Sequence, residues 1–369
     1  MARLQIAVLF GGRSGEHEVS LRSAAAIITG LRAQEQFEVL PVGITRDGSW
    51  LYGGDPLQAL ASGKVPGDNV CVTVLPDPAK RGLYVLEGKE AGCIIPVDVV
   101  FPVLHGTFGE DGTVQGLLEL ARLPYVGAGV LGSAAGMDKV MMKAVLEQGG
   151  VPVGPYVWFK SIDWERDSSR IMMEVKTRLG YPCFVKPANL GSSVGISKVH
   201  IEDGLARAVA LAARFDRKIL VEKYLPGREI ECSVLGNDEP RASVPGEIIP
   251  CNEFYDYRAK YIDDRSEILI PADLSSQLRK QVRELAVKTF VLMDCAGLGR
   301  VDFFVDDKEN KVWVNEINTI PGFTSISMYP KMWEASGLPF EDLLANLVAL
   351  ALERFVDRER LETVYDPEA

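Results

Sequence analysis

Two short segments, Arg300-Val-Asp302-Phe-Phe-Val and Val312-Trp-Val-Asn-Glu316-Ile-Asn318, carry the most chemically suggestive spacing in this chain. A polar bend from Asp306 to Asn310 joins them and both flanks alternate, so the whole reads as an antiparallel hairpin. Period-2 geometry sets Arg300 and Asp302 on one face of the first strand, and Glu316 and Asn318 on one face of the second. Folding about Lys308–Glu309 puts Asp302 nearly opposite Glu316. Like charges facing each other across strands are destabilising. A cation between them removes the repulsion, and an Asp/Glu/Asn oxygen set with few protein ligands suits Mg²⁺ shared with phosphates. A solvated hairpin face is the alternative.

Other segments could serve the same chemistry. Lys186 ends an apolar run and precedes Pro-Ala-Asn-Leu-Gly191-Ser192-Ser193-Val-Gly195, a loop able to aim backbone N–H groups and hydroxyls at phosphate oxygens. It lacks the G-x-x-x-x-G-K-[ST] pattern, and a plain Gly/Ser turn would look the same. Lys139 opens a helical stretch after a glycine-rich segment, and by itself reads as a surface lysine. Glu222-Lys-Tyr224-Leu225 closes a buried strand and Glu229 follows Pro226-Gly227. Acids and backbone amides at such a strand end could hold an adenine edge and ribose hydroxyls. Gly11-Gly12-Arg13-Ser14-Gly15-Glu16 lies between the first strand and first helix, where close backbone approach to an anion is possible. It does not match G-x-G-x-x-G. His105-Gly-Thr-Phe-Gly109-Glu-Asp-Gly112 ends another strand on the same rim, as a plain loop or a substrate loop.

The elements that must carry these residues follow from periodicity. Ile6–Phe10, Phe37–Ile44 and Val97–Leu104 read as strands, with Val19–Leu31 and Val114–Ala121 as helices. This alternation predicts a parallel sheet whose ligands bind at the strand C-termini. A helix from Lys139 to about Gln148 leads into an α+β unit: Pro182–Lys186, Val194–His200, a helix Leu205–Phe215 and Ile219–Tyr224. Beyond it come strands near Ile230–Leu235 and Ala242–Ile249, and a long polar-aromatic loop from Pro250 to about Ser266. A loop of that length is a lid or a disordered segment. The helix Ser275–Ala296, the hairpin and a helical tail Leu338–Phe355 complete the chain. The expected fold class is α/β plus α+β, with an N-terminal parallel-sheet domain.

Bulk properties narrow the function. The chain has 369 residues, enough for about two or three domains, and a net charge of −11 with scattered Lys and Arg. That argues against nucleic acid or an anionic membrane as partner, while leaving room for a small anion held by local lysines. Six well-separated cysteines (Cys71, Cys93, Cys183, Cys232, Cys251 and Cys295) form no C-x-x-C pair, and three histidines make zinc improbable. Core thiols in a reducing compartment are expected. The apolar start stops at Gly11-Gly12, as a first strand rather than a signal peptide. No apolar stretch reaches membrane-spanning length, so a cytoplasmic protein is expected.

Taken in order, these motifs resemble the ATP-grasp superfamily and, within it, the D-alanine–D-alanine ligases. The resemblance is carried by Leu9-Phe-Gly-Gly-Arg-Ser-Gly-Glu16-His-Glu-Val-Ser20, His105-Gly with Gly109-Glu-Asp-Gly112, Met137-Asp-Lys139, and Lys186-Pro through Gly195. It continues in Phe254-Tyr-Asp-Tyr257-Arg-Ala-Lys260-Tyr261, Arg300-Val-Asp302, and Asn315-Glu316-Ile-Asn318 through Ser327-Met328. It implies a two-part ATP-grasp fold after the N-terminal domain (1–137), with a central subdomain (138–227) and a C-terminal subdomain (228–369) carrying the hairpin and a mobile loop at about 250–266.

The same resemblance implies ATP-dependent joining of two D-alanines through an acylphosphate, for peptidoglycan precursors. It gives Asp302, Glu316 and Asn318 two Mg²⁺ ions, with Mn²⁺ as substitute, and Lys139, Lys186, Ser192 and Ser193 the ATP phosphates. Glu222, Tyr224, Leu225 and Glu229 would hold adenine and ribose, Arg300 the oxyanion, and Lys260 the transferred phosphoryl group. Glu16 would pair with the first D-Ala ammonium in a set with Ser192 and Tyr261. His105, Ser327 and the Met328 amide would contact substrate, Met standing where Leu is frequent. A homodimer is implied as well. A D-Ala–D-lactate or D-Ala–D-serine ligase is the near alternative, disfavoured by Tyr257-Arg-Ala-Lys260-Tyr261 and by the lack of any histidine beyond His200. A non-catalytic ATP sensor is the alternative of another class.

Overall fold

The computed structural model describes residues 3–64, 67–191, 193–249, 267–324 and 326–362. Its first sheet is built on β1 (Leu4–Gly11), which is buried from Ile6 onward, as a central strand covered on both faces must be. β2 (Phe37–Ile44) and β7 (Val99–Val103) flank β1 in parallel, with the helix His17–Arg32 crossing between β1 and β2. This is the predicted parallel unit. The sheet as a whole, however, is mixed. β3 (Trp50–Tyr52), β4 (Val70–Val74), β5 (Leu83–Val85) and β6 (Ile94–Ile95) extend it antiparallel beyond β2. These strands are two to five residues long, too short to show a period in the sequence.

The second sheet comprises β8 (Tyr156–Lys160), β9 (Cys183–Pro187), β10 (Ser197–Val199) and β11 (Lys218–Lys223), in the order β10-β9-β11-β8. The third is centred on β12 (Arg228–Gly236) and β16 (Gly297–Asp306). β13 (Arg241–Ala242), β14 (Gly246–Ile249), β15 (Glu267–Leu269) and β17 (Lys311–Asn318) complete it. The expected hairpin is therefore β16–β17. The predicted lid at 250–266 lies outside the described residues. Among the described residues no helix is long and apolar enough to cross a membrane. Cys183, Cys232 and Cys295 are buried as expected, but Cys71 is half-buried and Cys93 is exposed, so the all-core reading fails for these two. Cys251 lies outside the described residues.

Each sheet buries its own core, and one core joins the two ends of the chain. Phe10, Ile27, Leu31 and Phe101, from the first sheet and its helix, pack in one cluster with Phe323, Tyr329, Leu343, Leu344 and Leu347. The helix Phe340–Glu359 thus lies on His17–Arg32. Gly30 permits this approach, because a Cβ there would sit 2.7 Å from Leu344 and 2.8 Å from Phe340. Leu347 is fully buried in this junction. Leu347→Ala should lower stability by about 2–5 kcal/mol, the range for a buried Leu truncated to Ala, measured as a loss of denaturation midpoint against the parent chain.

Candidate active site

β16 and β17 pair without shift from Asp306↔Lys311 back to Phe303↔Val314, a register that alone would set Asp302 against Asn315. A β-bulge between Asp302 and Phe303 absorbs Asn315, and Asp302 faces Glu316 directly. Bulges of this kind re-aim side chains beside functional sites. The bulge turns the nearly opposed acids of the sequence reading into a true cross-strand pair.

Two cations offset the repulsion. Arg300 holds Asp302 through both Nε–Oδ1 and Nη2–Oδ2, each 2.7 Å, and Asn318 Nδ2 donates to Asp302 Oδ2 at 3.0 Å. Lys139 Nζ lies 3.2 Å from Glu316. Burial disfavours charge on Arg300, but Asp302 and Glu231 outweigh it and hold the guanidinium firmly protonated. Glu231 enters from β12, paired opposite Asp302, with Oε2 2.9 Å from Arg300 Nε. Among the described residues, no set of three or more His, Cys, Asp or Glu side chains closes into a metal cage. A cation here would have to share Asp302, Glu316 and the Asn318 amide oxygen with an outside ligand.

Lys139 is held in place by its own helix. Asp138 caps Lys139–Gln148, accepting from Val140 N–H at 3.0 Å and Met141 N–H at 3.1 Å. Asp138 also bonds Lys218 of β11. Lys139 Nζ donates to Leu190 O at 2.9 Å, which fastens it to the base of the Gly/Ser loop.

Beside this row opens a cleft of about 390 Å³, lined among others by Lys186, Glu222, Tyr224, Leu225, Glu229 and Ser193. Such a volume suits a small-molecule ligand. Lys186 and Glu222 come from adjacent antiparallel strands and meet at 2.6 Å. The other Glu222 oxygen is 2.6 Å from Lys143 Nζ, a lysine whose side chain is only 1 % exposed. Burial would raise the Glu222 pKa, yet Lys143 and Lys186 bring it down to about 2, and Lys186 is in turn held protonated against its own burial, chiefly by Glu222. Ser193 sits at φ 57°, the left-handed turn conformation of the loop. Lys198 Nζ covers the Tyr224 ring at 4.6 Å.

On the other side of Lys139 and Arg300 is a recess of about 80 Å³, bordered by Glu16, His105, Glu110 and Asn318. Glu16 begins the first helix and its carboxylate lies between two glycines. A Cβ on Gly106 or Gly191 would fall 2.5 or 2.7 Å from Glu16 Oε2. The first-domain loop therefore meets the Gly/Ser loop at this carboxylate. His105 Nδ1 lies 2.9 Å from Ile320 O, and a carbonyl only accepts, so this nitrogen carries the proton. Nε2 then accepts from Ser23 Oγ at 3.1 Å, and the ring is neutral, in line with a pKa that burial lowers. Glu110 accepts from Gly106 N–H at 2.7 Å and Ile320 N–H at 3.2 Å, while burial and the neighbouring Glu16 push its pKa up to about 8.

The structure brings together, from the sequence-derived set, Glu16, His105, Lys139, Lys186, Ser193, Glu222, Tyr224, Leu225, Glu229, Arg300, Asp302, Glu316 and Asn318 around these two hollows. Ser327 flanks the helix Met328–Glu334 and engages Thr324, at 2.9 Å to its N–H and 2.7 Å to its hydroxyl. The Met328 side chain packs with Ile248 and Met332, and it does not border the recess. Ser192, Lys260 and Tyr261 lie outside the described residues. Lys143, Glu110 and Glu231 are partners that the sequence reading missed. Lys143 stands one helical turn after Lys139 and Glu231 one strand repeat after Glu229, the spacings that could have singled them out.

Comparisons with known proteins agree over the whole chain. The family model described as D-ala D-ala ligase N-terminus matches residues 5–128, and that described as D-ala D-ala ligase C-terminus matches residues 145–349. A D-alanine–D-alanine ligase of Natranaerobius thermophilus is 53% identical over 98% of this chain and 99% of its own. Another, of Caldicellulosiruptor bescii, is 47% identical and both chains are covered completely. Among solved structures, the D-alanine–D-alanine ligase of Coxiella burnetii matches with TM-score 0.85 and 40% identity, covering 98% of this chain and 97% of its own. The VanG D-Ala:D-Ser ligase of Enterococcus faecalis matches with TM-score 0.84 and 38% identity, covering 95% and 99%.

The Lys143–Glu222–Lys186 bridge has a pH signature. The Glu222 pKa is depressed on folding, so its stabilisation is complete above the unfolded carboxylate value of about 4.3 and is lost as pH falls toward about 2. Glu222→Gln should lower the melting temperature most at neutral pH. The gap from the parent chain should close between pH 4.3 and 2, followed by melts across that range.

Proposed function

The chain belongs to the D-alanine–D-alanine ligase family, and from that premise we propose that it joins two D-alanines into D-alanyl-D-alanine at the expense of ATP. The observation that carries this reading is Arg300 bound to Asp302 between an ATP-sized cleft and a small polar recess. Ligation of this type must bring polyanions together and then stabilise charge as it develops. The arrangement suits both demands.

In the first step a carboxylate oxygen of one D-Ala attacks the γ-phosphorus of ATP, the bond to the ADP oxygen breaks, and an acylphosphate forms. Lys139 and Lys186 would neutralise the phosphates, covered by Ser192 and Ser193. Glu222 and Glu229 would receive the adenine amine and ribose, beside Tyr224 and Leu225. Lys260 would approach the transferred phosphoryl group. Glu16 would hold the first D-Ala ammonium, and its contact with Gly106 and Gly191 favours a recess closed to water, which protects a hydrolysable acylphosphate. Ser192 and Tyr261 would join Glu16 in that closure.

In the second step the amine of the other D-Ala, having lost its proton, attacks the acyl carbon. The tetrahedral adduct expels inorganic phosphate as the C–O bond breaks. Arg300 would stabilise the oxyanion, and Ser327 with the Met328 amide would hold the second carboxylate. His105, neutral and bonded on both ring nitrogens, is suited to fixing the recess rather than to moving protons. Two Mg²⁺, or Mn²⁺ in their place, would be held by the facing carboxylates of Asp302 and Glu316 and by the Asn318 amide oxygen once that amide, whose Nδ2 now donates to Asp302, turns over, and when bound would neutralise the phosphate oxygens. An amine rather than a hydroxyl acceptor is read from Tyr257-Arg-Ala-Lys260-Tyr261. The same reading carries the three-part division at 137 and 227, a homodimer, a cytoplasmic setting and a place in peptidoglycan precursor synthesis.

Phosphate release from ATP and Mg²⁺ tests the reading, with D-Ala, D-serine, D-lactate or L-Ala supplied in turn. D-Ala should give release coupled to dipeptide, and ATP binding without turnover would identify a sensor instead. Arg300→Met should lower kcat by about 10²–10³ fold, as loss of an oxyanion donor does.

A further inference from the structure

Glu231 has no part in the chemistry above, yet it occupies the centre of the site. It pairs opposite Asp302 across β12 and β16, so Glu231, Asp302 and Glu316 form one row over three strands. A Glu only 7 % exposed is rare unless a cation accompanies it. Here that cation is Arg300, which stands two residues from Asp302 on the same strand face and approaches Glu231 diagonally at 2.9 Å.

The need for a second acid comes from geometry. Arg300 occupies both oxygens of Asp302, at 2.7 Å each. A divalent cation ligated by Asp302 requires those same oxygens. Were Asp302 the sole anionic partner, the guanidinium would either exclude the cation or become a buried charge without a counter-ion, which is strongly unfavourable. We propose that Glu231 is a positioning residue that takes over Arg300 when Asp302 turns to the divalent ions, leaving the guanidinium beside the oxyanion position. Glu231 already faces the guanidinium, with Oε2 2.9 Å from Arg300 Nε, so in this proposal it serves the arginine and not the ions.

This inference rests on the reading of Asp302 as a metal ligand, and its test requires no turnover. Mn²⁺ binding to the full chain in the presence of ADP is titrated by electron paramagnetic resonance for the parent, Glu231→Gln, Arg300→Met and the double variant. In the parent background Glu231→Gln should weaken Mn²⁺ about tenfold, because Arg300 then clings to Asp302 alone. In the Arg300→Met background the same change should matter by less than about threefold. Equal weakening in both backgrounds would mark a simple through-space charge effect and overturn the proposal. Unchanged affinity in the parent background, or no Mn²⁺ binding by the parent with ADP, would overturn it too. Should Glu231→Gln show no cooperative melt, Glu231→Asp replaces it, with about threefold weakening expected and parent-like affinity overturning the proposal. Coupling in this cycle without D-Ala-dependent phosphate release would reject the ligase reading alone.

Discussion

Carboxylates set side by side on neighbouring strands repel, and in a buried site that repulsion is not screened by solvent. Most of the functional architecture answers this single constraint. Arg300 is threaded between Glu231 and Asp302, and Lys139 is brought to Glu316 from another part of the chain. The helix cap at Asp138, its bond to Lys218 and the grip of Leu190 O on Lys139 fix where that second cation stands. In the neighbouring cleft the sign is reversed, with one acid, Glu222, between two buried lysines. The site is a set of nearly neutral clusters, each placing one kind of charge where a ligand of the opposite kind can claim it.

Because the clusters draw on different segments, they also join the segments. Glu16 at the start of the first helix lies against Gly191 of the Gly/Ser loop. His105 and Glu110 bond Ile320, beyond β17. Ser23 accepts from Phe323 N–H at 3.2 Å and also meets His105. A substrate held in the recess would touch Glu16, Gly191 and the segment after β17 at once. Occupancy and closure would then be coupled through the same atoms.

Much of this was legible in local pattern. The hairpin needed only alternation and a polar bend, and it placed Asp302 within one residue of its true partner. The bulge at Asn315 was not legible, since nothing in Val-Asn-Glu-Ile says where a ladder slips. Glu231 was hidden for a different reason: its meaning depends on the register of β12 against β16, more than sixty residues apart. Lys143 repeats Lys139 at helical spacing, but a lysine on a helix is ordinarily solvated, and only tertiary packing makes this one internal. The short antiparallel strands from Trp50 to Ile95 failed through length, being stabilised by neighbours and not by a period of their own.

The helix Phe340–Glu359, packed on His17–Arg32, bears on how the molecule is made. Leu31 and Phe10 emerge early in translation, whereas Leu343, Leu344 and Leu347 follow some three hundred residues later. At ordinary elongation rates of about 5–20 residues per second, the first sheet waits on the order of tens of seconds for its cover. Throughout that interval a greasy flank of the nascent domain faces the surroundings of the ribosome, a natural place for a chaperone to hold on.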